Sequence, residues 1–80
     1  MLSLNYDSKS DVLYIGFSDR SNSYGDEIVD GFVILYDLDT NIVTGVTIFD
    51  FLLKYRNNKL NDLPMPVNID FDKDIISAII

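Results

Sequence analysis

Residues 30–50 read DGFVILYDLDTNIVTGVTIFD, and the fold turns on how this stretch is read. Asp30-Gly31 is a strong turn signal, because glycine accepts positive φ without steric cost. Phe32 to Tyr36 then has strand period, with Phe32, Ile34 and Tyr36 on one face and Val33 and Leu35 on the other. Both faces are apolar, which predicts a central strand. Asp37-Leu38-Asp39-Thr40-Asn41 is a second turn. Ile42 to Phe49 is a further strand, rich in β-branched residues and interrupted by Gly45, which marks a bulge or a close backbone approach.

The pattern extends in both directions. Upstream, Leu2, Leu4 and Tyr6 alternate with Ser3 and Asn5. Asp7 to Asp11 is a polar turn, and Val12 to Phe17 is a second strand, so the two read as a hairpin. Asp19 to Asp26 reads as a polar loop containing Gly25, followed by a short strand, Glu27-Ile28-Val29. Downstream, Asp50 is placed to cap a helix running from Phe51 to Asn58 or Leu60. Lys54, Arg56 and Lys59 fall late in it, where positive charge suits the helix dipole. Leu53, Leu60 and Leu63 mark its inward face, although Arg56 interrupts it. Pro64 and Pro66 end helical structure. Val67, Ile69 and Phe71 alternate with Asn68, Asp70 and Asp72 as a strand. The apolar residues of Ile75 to Ile80 fit one side of a helix, but four isoleucines favour strand. A faint echo of the N-terminal hairpin points the same way: Asp70-Phe71-Asp72, Lys73, Asp74-Ile75-Ile76 repeats its order of aromatic, Asp, turn, Asp and aliphatic. The expected architecture is α+β and mainly β: an antiparallel β-meander of about five strands, one short helix, and a C-terminal strand or hairpin, in a single domain over residues 1–80.

Composition narrows the function. Thirteen acidic residues against six basic ones give a net charge of −7, and Glu27 is the only glutamate. That balance opposes general binding to nucleic acid or to anionic membrane, both of which need a positive field. No run of about 18 apolar residues is present, so no membrane span is expected. The first residues lack a basic segment followed by an apolar one, so no signal peptide is expected, and a cytoplasmic location fits the lack of cysteine. With neither cysteine nor histidine, disulfides and the usual zinc sites are excluded. A chain of 80 residues buries a modest core and usually gains stability from such staples or from self-association. Self-association is the route left. Hydrophobic residues make up 48% of the chain, more than a single small core needs.

Few residues suggest chemistry. Asp37, Asp39 and Asn41 match the opening of a calcium loop, but Ile42 stands where the sharp turn needs glycine and Ile48 where a bidentate glutamate belongs. Asp70, Asp72 and Asp74 fail in the same way. These are the weak metal candidates, and ordinary hairpin turns explain them better. Asp26, Glu27 and Asp30 are a possible acid–base group, but they read better as solvated turn residues. Without histidine, a serine nucleophile has no ready base, and Ser8-Lys9 sits in a turn. Gly16, Gly25, Gly31 and Gly45 are isolated, so no phosphate loop exists. Lys54, Tyr55, Arg56 and Lys59 form the only basic-aromatic cluster, read as an exposed helix end. Tyr6, Tyr14, Phe17 and Tyr36 are read as sheet packing. No catalytic residue and no cofactor is assigned. Ile75, Ile76, Ile79 and Ile80 are the candidate interface, since an unpaired apolar edge strand must be covered.

An ordered series of motifs runs through Asn5-Tyr6-Asp7, Asp11-Val12-Leu13-Tyr14-Ile15, Glu27-Ile28-Val29-Asp30-Gly31, Ile34-Leu35-Tyr36-Asp37 and Asn41 to Asp50. It resembles the DUF2283 family of small uncharacterised bacterial and archaeal proteins over residues 2–53, leaving 54–80 as the helix end and a C-terminal extension. The resemblance implies a compact β-rich domain with no established activity. Some members look like partners in two-gene modules of the toxin–antitoxin kind. The expected function is a protein-interaction module that forms a homo-oligomer, a dimer at its simplest, or serves as an accessory or antitoxin-like partner of another small protein. The alternative is a small-molecule or cation-binding domain built on the Asp-rich turns.

Overall fold

The computed structural model describes residues 3–18 and 22–79. Five strands, β1 (Ser3–Asp7), β2 (Val12–Gly16), β3 (Ser23–Val29), β4 (Phe32–Asp37) and β5 (Val43–Phe49), form one antiparallel sheet in the order β1-β2-β5-β4-β3. The chain therefore makes a hairpin, then a three-strand meander that folds back so that β5 pairs with β2. β4 is interior, as its two apolar faces require, but β5 holds the centre. Leu2 of the expected first strand, Asp19 to Ser21 of the expected loop and Ile80 lie outside the described residues.

The register explains the core. Tyr6 pairs with Leu13, Leu13 with Ile48, and Ile48 with Phe32; in the next row on the same face, Leu4, Ile15, Val46 and Ile34 align. Residues directly opposite in antiparallel strands share a face. These rows make one apolar face, and Leu13, Ile15, Phe32, Ile34, Val46 and Ile48 are all buried in one cluster. Gly45 satisfies both expectations for it. The β4–β5 register shifts beside it, and a side chain there would meet the Ile15 carbonyl oxygen at 2.5 Å. Gly31 adopts φ 78°, the conformation that favoured glycine at the β3–β4 turn.

Three expectations are corrected. Ser23 to Asp26 is not loop: β3 runs from Ser23 to Val29, because β4 supplies a full-length partner. The helix after β5, α1 (Phe51–Arg56), has Phe51 on its inner side, fully buried, while Leu53 is 54% exposed. The third correction concerns the C-terminus. In place of a strand or hairpin over 67–80, a 3₁₀ turn (Leu60–Asp62) leads through an irregular stretch into a π-helical segment (Phe71–Ile76), which continues as a short helix, α2 (Ser77–Ile79). Asp70 starts this helical segment by accepting the Lys73 N–H at 3.1 Å, and Asp74 reaches back to the Asp70 N–H at 3.2 Å. Winding the chain places Phe71 and Ile75 on one side, against the sheet and α1, and that burial overrides the strand preference of isoleucine. Phe51 lies between Tyr6 and Phe71, with its ring centroid 6.1 Å from each.

Candidate interaction surface

All the sheet residues of the core cluster belong to one face, the face that α1 and the C-terminal helical segment cover. The pleat sends the alternate residues the other way. That second face carries Val12, Tyr14, Val33, Leu35, Thr47 and Phe49. Among the described residues no helix packs over it. Tyr14 is 44% exposed and Phe49 41%, Val33 and Leu35 are half-buried, and Val12 and Thr47 are buried. Alignment across the strands gives this face a relief. One row reads Asn5, Tyr14, Thr47, Val33, Glu27, and the next reads Ser3, Gly16, Gly45, Leu35, Gly25. A side chain added at Gly25 would meet Val33 and Leu35 and no other described residue within 4 Å, so no other described element approaches there.

The residues singled out from sequence are dispersed. Asp37 and Asn41 do share the β4–β5 turn, where the Asp37 carboxylate accepts the Asp39 N–H at 2.8 Å and the Asp37 carbonyl accepts the Asn41 N–H at 2.9 Å. Tyr24 donates to the Asn41 side-chain oxygen at 2.9 Å. Asp37 is buried, whereas Asp39 and Asn41 are exposed. This is the geometry of a closed Asx turn. Asp70 and Asp74 are engaged in starting the C-terminal helical segment, and Asp72 accepts the Tyr55 hydroxyl at 2.5 Å, which raises the Tyr55 pKa. Among the described residues no three acidic side chains are grouped to hold a metal ion. Glu27 accepts the Gly31 N–H at 2.9 Å across the β3–β4 turn.

The basic-aromatic cluster divides. Lys54 donates to the Phe49 carbonyl at 2.5 Å, while Tyr55 and Arg56 line a cleft of about 620 Å³ with Asn61, Asp70, Phe71 and Asp72. The isoleucines divide too. Ile75 is fully buried in the chain's own core and has no surface to offer, Ile76 and Ile79 pack against that core half-buried, and Ile80 lies outside the described residues. The apolar edge strand that motivated these four as an interface does not form.

One organising residue was missed. Asp11, in the β1–β2 turn at φ 56°, accepts the Leu52 N–H at 2.9 Å and the Leu53 N–H at 3.3 Å with its carboxylate, and the Phe51 N–H at 2.9 Å with its carbonyl. It caps α1 from 41 residues away. Asp50, the expected cap, sits in the left-handed region and makes no side-chain cap bond. Tyr6 donates its hydroxyl to Asp11 at 2.7 Å. That bond, with burial and the Asp11 charge, pushes the Tyr6 pKa up to about 12. Burial alone would raise the Asp11 pKa, but the bonds from Leu52, Tyr6 and Leu53 outweigh it and lower the value. The local signal for Asp11 is slight: an Asp at the end of a tight turn, a residue type that tolerates positive φ.

No curated protein and no solved structure matches this chain. The family model described as "Protein of unknown function (DUF2283)" matches residues 4–51. The matched span opens in β1 and closes on Phe51, the first residue of α1. It therefore contains the five-stranded sheet except Ser3, and the Asp11 turn that receives the helix. With its sheet and helix start accounted for in this way, the chain belongs to the DUF2283 family.

Proposed function

We propose that this chain is a protein-interaction module without catalytic activity, and that the uncovered sheet face is its binding surface. One observation carries the reading: a broad apolar face, centred on Val33, Leu35, Thr47, Tyr14 and Phe49, lies opposite the covered one with no described helix across it. The largest apolar patch of a small domain is often its interaction site. An aromatic pair at the centre of such a face is the side-chain type that anchors interfaces. The Asp-rich turns do not favour the cation-binding alternative, since Asp37, Asp70 and Asp74 accept backbone N–H groups of their own turns.

The test uses the tagged full-length chain expressed in its native cells, beside the double variant Tyr14→Lys, Phe49→Lys. Both positions are exposed, so the variant is expected to keep the fold. The wild type is expected to retain a stoichiometric protein, whether another copy or a different chain, and the variant to lose it. Equal retention by both, or no retained protein in either, would remove the face from consideration.

A further inference from the structure

We infer that the occupant of the uncovered face is a second copy of this chain, packed sheet against sheet about a two-fold axis that crosses the strands at the Tyr14–Thr47–Val33 row. This rests on the reading of that face as an interaction surface and names its partner. The first argument is shape. On one side of that row the sheet carries Val12 and Phe49, which pair directly; on the other it carries Gly16 and Gly45, which also pair directly. A two-fold axis through the row lays the exposed Phe49 of each copy over Gly45 of the other, so that bulk meets hollow twice, while Val12 is buried and Gly16 is overlain by the Ser3 side chain. Such self-complementarity is what a symmetric dimer requires of one surface. The strands of the two copies then run nearly aligned, the usual arrangement of stacked sheets.

The second argument is charge. A chain of net charge −7 repels its own copy over most of its surface. Across the uncovered face the two central rows are neutral except for Glu27 at their β3 end, while Asp7 ends the Val12–Phe49 row at β1 and Asp30 and Lys54 stand beside Val33 and Phe49 at the rim. The free edges of β1 and β3 are the competing routes to a dimer, and that of β3 is a poor one. It carries Asp26 and Glu27, and its register shifts between Glu27 and Val29; charge and bulge are both devices that stop edges from pairing.

The third argument is area. Five strands ~4.8 Å apart, each of about six residues rising ~3.4 Å, span a plate of roughly 500 Å². Two such plates, with their corrugation, come close to the lower range of specific interfaces, ~1,200 Å² in total. A dimer held by this face alone is therefore expected to dissociate on dilution.

Light scattering after size exclusion, at tens to hundreds of micromolar, is expected to give twice the 9.1 kDa chain mass, falling toward one chain on dilution. The Tyr14→Lys, Phe49→Lys variant is expected to remain at one chain mass with the circular dichroism of a folded protein. A second measurement does not depend on that variant folding. The chain has no cysteine, so single cysteines can be placed cleanly. Across the proposed axis Tyr14 faces Tyr14, and a short bis-maleimide is expected to join two copies of Tyr14→Cys but not of Leu53→Cys, which lies on exposed α1. One-chain mass in the wild type at every concentration, or equal cross-linking at both positions, would overturn the pairing. If that monomer nevertheless retains a different protein that the Lys variant loses, the self-pairing falls while the interaction surface stands.

Discussion

Asp11 shows how one side chain can couple two distant parts of a small fold. It closes the β1–β2 turn in a left-handed conformation and offers both carboxylate oxygens to the first turn of α1, while Tyr6 holds it in place. Loss of a capping side chain costs about 1–2 kcal/mol, and alanine in the left-handed region adds ~1 kcal/mol. Asp11→Ala should therefore lower the thermal midpoint by some 10 °C or more, at ~4–8 °C per kcal/mol for a domain of this size. Asp11→Asn keeps an acceptor and tolerates positive φ, so it should recover part of the loss. The pair also sets two limits on pH stability. Asp11 has a folded pKa below its unfolded value, so its contribution is complete above the ordinary carboxylate range and is lost as pH falls through the folded pKa. Tyr6 has a folded pKa of about 12, above its ordinary value of 10.0, so its contribution is complete below pH 10 and is lost as pH rises toward 12. Melting curves for Tyr6→Phe should lose that alkaline decline; a decline identical to wild type would mean that Tyr6 does not produce it.

Among the elements, the C-terminal helical segment is the one whose role changed most. As an apolar strand it would have been an exposed edge in need of a partner. Wound into a helix, it supplies Phe71 and Ile75 to the core that Phe51 and Leu60 begin. Ile75→Ala should cost about 2–5 kcal/mol, while Ile75→Val should cost only ~0.5–1.5 kcal/mol. Against a total of roughly 5–15 kcal/mol, the first is a large fraction. Deleting residues 74–80 also removes the half-buried Ile76 and Ile79, so urea unfolding of that truncation should show a lower midpoint than Ile75→Ala. A midpoint equal to that of the intact chain would make the segment a loose end. β3 illustrates the opposite situation. Its residues 24–29 are exposed, and backbone pairing with β4 holds it with little burial of its own side chains.

The described residues form a single sheet covered by helical segments on one side. Association would add a second stabilising layer, and because it draws on a second chain, its contribution depends on concentration. The apparent melting midpoint should rise with protein concentration, and Tyr14→Lys, Phe49→Lys should abolish that dependence. Calcium should do little. A site with a dissociation constant near 0.1 mM would add ~2.7 kcal/mol at about 10 mM ion, a shift of some 10 °C or more. With the Asp37 carboxylate turned onto the Asp39 N–H, the expected shift at that concentration is no larger for calcium than for magnesium. A shift of several degrees confined to calcium would restore the turn as a cation site.

Five strands, the approximate limits of all but β3, the Asp30-Gly31 turn and the start of α1 at Phe51 were legible in the sequence. Each is written locally: alternation of apolar residues has period two, and glycine is needed where φ turns positive. The tertiary structure decided the rest, because it depends on contacts between residues far apart in the chain. It put β5 in the centre by pairing it with β2, and it replaced Asp50 with Asp11 as the helix cap, across a sequence separation of 41 residues. It wound the isoleucine-rich end into a helix because burying Phe71 and Ile75 outweighed β propensity. It also left the face carrying Val33 and Leu35 without a helix over it among the described residues; in the sequence these two had marked β4 only as apolar on both sides. A strand's own sequence records that both of its faces are apolar; whether the second face is covered depends on where every other element packs.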